Sequence, residues 1–569
     1  MQHIRTIIIL ICLCLFANVN AQISTYEKPV SFYRGSELAV VSKSSTPIIT
    51  TPKLDMAKIA AEDEEDEKYD MPPRFGYSHF VDYNLNNSGT WFELPNGDKL
   101  WQLEVVCPGA LSVNFCYDKF WIPEGGKFFI YSKDRKYAIG AFTSRNNKGD
   151  RENIRGFATG LIYGDNVILE YYQPKEVTTD AIISIAKVVH GYRYFGFGAS
   201  GDCMVNINCS EGQNWQNEKK AVALIIIDGE RKCTGSLINT TNLSETPFFL
   251  TAKHCISGNA EENPDLSGYI FIWNYEAPGC DDPSVEPDTI TTSGATLVAN
   301  NLASDFALLL LTEDPKTLTN YTPYYLGWDF SGLSGDPGVC IHHPMGDIKK
   351  ISTVKDEPTS SNWSEHPMYS IYSNSHWLVK WKLTPHGHGI TQEISSGSPL
   401  LNAKHRVIGQ LHGGNGNDCD NPDAYSKYGK FNLSWIGYNN NSSMYRRLDC
   451  WLDPLNILVP NTDIKAMEGL LVISSDSIFN TNQQLYSNIR IKSNVQLTIQ
   501  SNVEMMGYSR VIVEAGGTLI VDNKTLSNAD IVLKPGATLR IINGGIIETR
   551  NGFEAPIGTI VEIQSGQII

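Results

Sequence analysis

Glu393-Ile394-Ser395-Ser396-Gly397-Ser398-Pro399 places a serine in a run of small, turn-forming residues that ends at proline. Such a loop can expose a hydroxyl, but a hydroxyl is a poor nucleophile until a base takes its proton. Ser396 therefore needs a histidine, a carboxylate and a pocket from elsewhere in the chain. Phe249-Leu250-Thr251-Ala252-Lys253-His254-Cys255 puts a histidine directly after an apolar run, beside a cysteine able to pin it. Ala303-Ser304-Asp305-Phe306-Ala307-Leu308-Leu309 opens a second apolar run with an acid. A carboxylate there is expected to be partly buried, where it can orient an imidazole and stabilise its charged form. His254, Asp305 and Ser396 are thus the candidate base, orienter and nucleophile.

The sequence around these stretches reads as β structure. From Cys203 to about Pro460 the apolar runs 221–227, 235–238, 248–251, 306–311 and 407–412 are candidate buried strands. Many strands at this spacing without a βαβ rhythm predict a pair of β-barrels. Upstream, Thr90–Leu94, Phe128–Tyr131 and Asn166–Tyr172 are short β runs between turn signals, the pattern of a small β-sandwich. Cys107 and Cys116 are placed to staple one of its hairpins. This module (75–175) collects no nucleophile with a base and reads as a pro-domain or accessory unit. Residues 176–199 read as a processing linker, with cleavage expected after Lys187 or Arg193, and 200–460 as the domain that carries His254, Asp305 and Ser396.

At the N-terminus a basic start, an apolar run from Thr6 to Phe16 and a small residue before Gln22 form a signal peptide over 1–21. No run is long enough to span a bilayer, so the mature protein is expected to be secreted, extracellular or held at the cell surface. Residues 22–74 end in a dense acidic block, Glu62-Asp63-Glu64-Glu65-Asp66-Glu67, whose like charges repel and favour an extended acidic linker. In the tail (466–569), Val495-Gln496-Leu497, Gly517-Thr518-Leu519, Ala537-Thr538-Leu539 and Gly558-Thr559-Ile560 recur at roughly twenty-residue intervals. Interleaved with apolar runs, they predict a β-solenoid-like module, with a β-sandwich as the alternative. As a module of its own it is expected to be removable without loss of peptide cleavage, and to serve surface or carbohydrate contact.

The formal net charge of −16 argues against a nucleic-acid partner, which requires a basic stripe. Twelve cysteines leave ten beyond the leader, and an even count in an oxidising compartment suggests five disulfides. His342-His343, His386, His388 and His412 lack the partners that would complete a metal-ligand spacing, so no metal or other cofactor is expected. Asp281-Asp282 and Asp347 read as exposed turn acids, and Tyr321, Tyr324, Tyr325 and Trp328 as core or barrel closure.

Residues from about Ser200 to Pro454 resemble the lysyl endopeptidase branch of the chymotrypsin-like serine proteases. The resemblance rests on Cys233-Thr234-Gly235-Ser236-Leu237, the segment 249–255, Ser304-Asp305-Phe306 and Ile341-His342-His343-Pro344. It continues through Ser396-Gly397-Ser398-Pro399, Gln410-Leu411-His412-Gly413-Gly414 and Trp451-Leu452-Asp453-Pro454. It implies an all-β chain with a chymotrypsin-like double β-barrel peptidase domain, the β-sandwich-like module before it and the β-solenoid-like module after it. It also implies a secreted serine endopeptidase acting on protein or peptide substrates through an acyl-enzyme.

In that scheme Ser396 attacks, His254 transfers the proton and Asp305 holds the ring. The backbone N–H groups of Ile394 and Ser396 form the oxyanion hole, and His412, Gly413, Gly414 and Ser426 line the substrate pocket. The implied disulfides are Cys233–Cys255, Cys203–Cys419 and Cys209–Cys280, with Cys340 and Cys450 left as a candidate extra bridge. Two positions depart from the family. Ile394 stands where glycine is usual, at a point requiring backbone angles costly for a β-branched residue. Ser426 stands where an aspartate sets the preference for lysine, with Asp418, Asp420 and Asp423 nearby as substitutes for it. Cleavage after Lys or Arg is thus one of two readings of the pocket. The alternative for the whole chain is a catalytically weak or inactive binding or adhesion protein.

Overall fold

Val222–Ile227 is apolar throughout and buried throughout, so it must be covered on both faces. A closed barrel provides that cover. Six strands form it, hydrogen-bonded in the order Val222–Ile227, Arg231–Leu237, Phe248–Ala252, Phe306–Leu311, Ile290–Asn301, Leu266–Trp273 and back to the first. The second half of the domain expected over 200–460 is a ten-stranded sheet. Its central strands are Val339–His342, Pro399–Leu401, Arg406–Gly414, Tyr425–Lys430 and His376–Lys380, and its pairing follows an open path. This chain is a computed structural model that describes residues 27–33, 47–69, 71–256, 264–318, 320–363, 372–416, 418–421, 423–457, 465–550 and 552–569. The signal-peptide assignment at 1–21 lies outside them.

The upstream module is a β-sandwich of a six-stranded and a five-stranded sheet. Trp101, Leu103, Phe115, Phe120, Phe128, Ile130, Leu169 and Ile185 fill the space between them. Its extent differs from expectation. Ile182–Gly191 is no linker but an inner strand, paired on one side with Gly76–Asn84 and on the other with Ser112–Trp121. Lys187 faces Phe80 on one neighbour and Cys116 on the other, so a cut there would require extracting that strand. Arg193, just beyond it, is exposed.

The acidic segment also departs from the extended linker expected of it. Met56–Glu67 is an α-helix, capped by the Asp55 carboxylate, which accepts the N–H groups of Ala57 and Lys58 (3.1 Å each). Besides Lys58 and Lys68 of its own segment, counter-charges from beyond the helix offset the repulsion. Arg74 reaches Asp63 (2.8 Å) and Glu62 (3.1 Å), Arg193 reaches Asp63 (3.2 Å), and Arg231 pairs with Asp66. The sandwich is fastened to the barrel by the same region: Phe75 N–H donates to Glu230 O (2.8 Å) and Lys232 Nζ donates to Phe195 O (2.5 Å). Lys148, on a sandwich loop, is buried and donates to Ser293 Oγ of the barrel (2.8 Å).

The tail is a parallel β-solenoid with three faces, each rung giving one strand to each of three sheets. Leu497, Leu519, Leu539 and Val561 stack in register along one face, and the first three of them are fully buried. It is not a separable appendage. Tyr324–Tyr325 of the preceding domain pairs with the first solenoid strand, Gly469–Ile473, and Gly327–Asp329 pairs with Ala466–Met467. Arg406 is buried against Glu468, and Glu245 takes both Arg490 (2.9 Å) and Lys492 (2.5 Å). One continuous apolar cluster runs from the barrel into the solenoid. Tyr324 and Tyr325, read as core or barrel closure, are at this seam, whereas Tyr321 packs against Trp273 of the barrel.

Among the described residues three disulfides form, Cys203–Cys419, Cys209–Cys280 and Cys233–Cys255, and Cys107, Cys116, Cys340 and Cys450 are free thiols. The expected hairpin staple is absent because Cys107 belongs to the sandwich core while Cys116 packs in the cluster shared with the barrel. Burial pushes the Cys116 thiol up to about 12. Cys340 is buried beside Ser398 and Cys450 is exposed, so they form no fourth bridge. Asp347, read as an exposed turn acid, is buried and accepts the N–H groups of Gly198 (2.8 Å), Ser200 (3.3 Å) and Ile348 (2.7 Å).

Candidate active site

The strand Phe248–Ala252 ends in a single 3-10 turn, Lys253–Cys255, which the Cys233–Cys255 bridge ties to the neighbouring strand. His254 leaves that turn against Asp305, which lies in the tight connection between Ile290–Asn301 and Phe306–Leu311. The carboxylate grips the histidine twice. His254 N–H donates to Oδ1 (3.0 Å), and Nδ1–H donates to Oδ2 (2.7 Å). Lys253 N–H donates in turn to the Asp305 carbonyl (2.8 Å). Asp305 is fully buried and has φ 53°, a left-handed conformation that aspartate tolerates better than most residues. Gln410 Nε2 donates to Ser304 O (2.5 Å), fixing the turn from behind.

Ser396 stands on a loop held by both halves of the domain. Thr234 of the barrel donates its N–H to Ser396 O (2.8 Å) and its hydroxyl to Ile394 O (2.9 Å). From the other half, Gly397 N–H donates to Leu411 O and Leu411 N–H to Ser398 O. Gly397 has φ 84°, and a Cβ there would come within 2.2 Å of both Thr234 O and Thr251 Oγ1, so no other residue fits. Ser396 Oγ donates to the His412 carbonyl (3.4 Å). The loop therefore brings Ser396 to the seam where His254, Asp305 and His412 converge.

Ile394 adopts the positive φ expected to be costly, 72°. Strain of this kind costs on the order of 1–3 kcal/mol. Its side chain is 1% exposed, in a cluster with Phe75, Phe195, Leu224, Ile226, Ile270 and Tyr275. Burying an isoleucine contributes about 1.5–3 kcal/mol, enough to offset the backbone term. The loop is accordingly not distorted away from a glycine-like path. The N–H groups of Ile394 and Ser396 donate to no protein acceptor among the described residues. Ile394→Gly is expected to lower the unfolding free energy by about 1–2 kcal/mol, because the lost packing outweighs the relieved strain. A urea melt checks this, and a stabilised variant would contradict it.

His412 is placed differently from the pocket lining assigned to it. Its ring is buried, stacks on Trp363 (3.8 Å between centroids) and on His254 (5.2 Å), and brings Nε2 to 3.6 Å from Asp305 Oδ2. Its Nδ1 shares a hydrogen bond with His376 Nε2 (2.9 Å). It walls the His254–Asp305 pair from solvent. Trp363 and His376 thus support the site without any motif in the sequence to announce them, and Thr234 does so from a motif that gave it no role. Gly413 and Gly414 continue the strand past His412, and Ser426 is fully buried opposite Gly414. Asp418, Asp420 and Asp423 are exposed on the intervening loop. The other histidines go elsewhere. His342 is buried between Ser395 and Ser352 (2.8 and 2.9 Å) and its imidazole is pushed down to about 3 by burial, while His386 pairs with Glu211 (2.8 Å).

The family model "Lysyl endopeptidase, C-terminal domain" matches residues 197–429. A lysyl endopeptidase of Pseudomonas aeruginosa is 28% identical over 285 residues, covering 46% of this chain and 57% of that protein. The chain thus spans little more than half the length of that relative. Among solved structures, the active form of the Rv3671c protease from M. tuberculosis is 13% identical, with a TM-score of 0.27 over 41% of this chain and 87% of the other. The HtrA-type protease AlgW with tripeptide is 15% identical, with a TM-score of 0.25 over 39% and 60%. At such scores the fold assignment rests on the chain's own strand pairing. Residues 197–429 of this all-β chain are thus similar to the C-terminal domain of lysyl endopeptidases.

Proposed function

We propose that the chain is a secreted serine endopeptidase in which Ser396 is the nucleophile, His254 the general base and Asp305 its orienter. The observation that carries this reading is the double grip of Asp305 on His254 at 3.0 and 2.7 Å, beside a serine loop with two unengaged N–H groups. With Nδ1–H committed to the carboxylate, His254 Nε2 accepts the Ser396 proton as Oγ bonds to the peptide carbonyl carbon. The resulting oxyanion receives hydrogen bonds from Ile394 and Ser396 N–H. Collapse breaks the C–N bond, and His254 gives its proton to the leaving amine, so an acyl-Ser396 remains. Water, deprotonated by the same nitrogen, then releases the acid and restores the serine.

Ile394 motivated the rival reading of an inactive binding protein, and its glycine-like φ with a free N–H supports the peptidase instead. Export by residues 1–21 agrees with three disulfides and with the absence, among the described residues, of a helix able to cross a membrane. In this reading the N-terminal sandwich is a pro-region cut near the exposed Arg193, and the solenoid carries any contact with surface or glycan. The purified full-length protein is expected to hydrolyse denatured casein, and Ser396→Ala to lose at least about 10³-fold. Retention of hydrolysis by Ser396→Ala, or none by the wild type, sinks the proposal.

A further inference from the structure

One strand of the barrel, Arg231–Leu237, touches both the serine loop and the N-terminal sandwich. Thr234 donates its hydroxyl to Ile394 O (2.9 Å). Two residues earlier, Lys232 Nζ lies over the Phe75 ring (5.1 Å to its centre) and donates to Phe195 O (2.5 Å). On the adjacent strand Thr234 pairs with Leu224 and Lys232 with Ile226. Ile394, Phe75, Phe195, Leu224 and Ile226 belong to one buried apolar cluster. Phe75 opens the sandwich and is 1% exposed. Its backbone is gripped from both sides: its N–H donates to Glu230 O (2.8 Å), and its carbonyl accepts the N–H groups of Tyr192 (2.8 Å) and Arg193 (3.1 Å). Beside Glu230 the two modules are in close contact, since a Cβ on Gly229 would come within 2.4 Å of Asn114 Nδ2.

We infer, resting on the peptidase reading above, that Phe75 of the sandwich is a positioning residue for the oxyanion hole, acting through the side chain of Ile394. An isoleucine does not hold φ 72° unaided, because its branched side chain crowds the backbone there. Glycine takes such angles freely for want of a side chain. In this chain the burial of the isoleucine side chain does that work instead. Loss of the Phe75 ring opens the cluster on its sandwich side. Ile394 then relaxes to negative φ, and its N–H turns out of the hole. The sandwich is accordingly part of the working enzyme and not only a segment to be shed. A cut after Arg193 breaks none of the contacts named here, so the sandwich stays seated on the barrel after it.

The test is a double-mutant cycle on the full-length protein: Phe75→Ala with and without Ile394→Gly. It is read as kcat and KM on a peptide amide and as the rate of fluorophosphonate labelling, with thermal melting of each variant. With Ile394 in place, Phe75→Ala is expected to lower kcat and the labelling rate at least about tenfold at unchanged KM, because oxyanion donors act in the transition state. With glycine at 394, which takes the positive φ unaided, the same substitution is expected to change kcat less than about twofold. A contact that serves stability alone would lower the melting temperature and leave kcat of the folded protein where it was. Should Phe75→Ala not fold, Phe75→Val runs the same cycle. Equal losses in both backgrounds, or no loss in either, overturn the inference, while labelling of the wild type keeps the peptidase reading. No labelling and no cleavage by the wild type overturns that reading and the inference with it.

Discussion

Asp305→Asn is expected to lower kcat about 10⁴-fold while the protein still folds. The carboxylate accepts two N–H groups of His254, one from the backbone and one from Nδ1. Asparagine has one acceptor oxygen and one amide nitrogen. If its oxygen takes the backbone N–H, its NH₂ faces Nδ1 and makes that nitrogen an acceptor. The ring proton then sits on Nε2, which can no longer take the proton of Ser396. Steady-state kinetics on a peptide amide measures the loss, and circular dichroism checks the fold. A loss below tenfold would mean that another group orients the histidine.

Removal of residues 466–569 is expected to leave no folded peptidase domain. The cut deletes the strand partners of Tyr324–Tyr325 and Gly327–Asp329, and with them Glu468, against which Arg406 is buried. Breaking a buried ion pair by removing one partner costs about 3–5 kcal/mol. The exposed apolar seam adds to that, and the sum is comparable to the stability of an ordinary domain. Soluble yield and thermal melting of the truncated chain are the readouts. A truncated protein that melts cooperatively and cleaves peptide at the full-length rate would show that the seam is dispensable.

The contrast with the separable tail expected from sequence shows what a one-dimensional reading can hold. Solenoid rungs were visible because stacking repeats a local pattern of inward Leu497, Leu519 and Leu539. The seam was not, since nothing about Tyr324 in the sequence says that its partner is Leu471. His254, Asp305 and Ser396 stood out as candidates for the same local reason: each is next to an apolar run or a turn. The acidic block was misread because Arg74, Arg193 and Arg231, which neutralise it, come from other elements. Ile394 was correctly seen to need a positive φ, but the cluster that offsets its cost draws on Phe75, Phe195 and Leu224, remote in sequence. Ser426 likewise meets the Thr391 hydroxyl and the Trp381 indole only in the folded sheet.

The most direct test of the central assignment is intact-mass analysis of the folded protein after incubation with a fluorophosphonate, followed by peptide mapping. Activated serine nucleophiles attack such reagents, whereas an ordinary surface serine does not. A single stoichiometric adduct is predicted, located on Ser396, and absent from both Ser396→Ala and heat-unfolded protein. No adduct on folded protein, or an adduct at any other residue, would contradict the account.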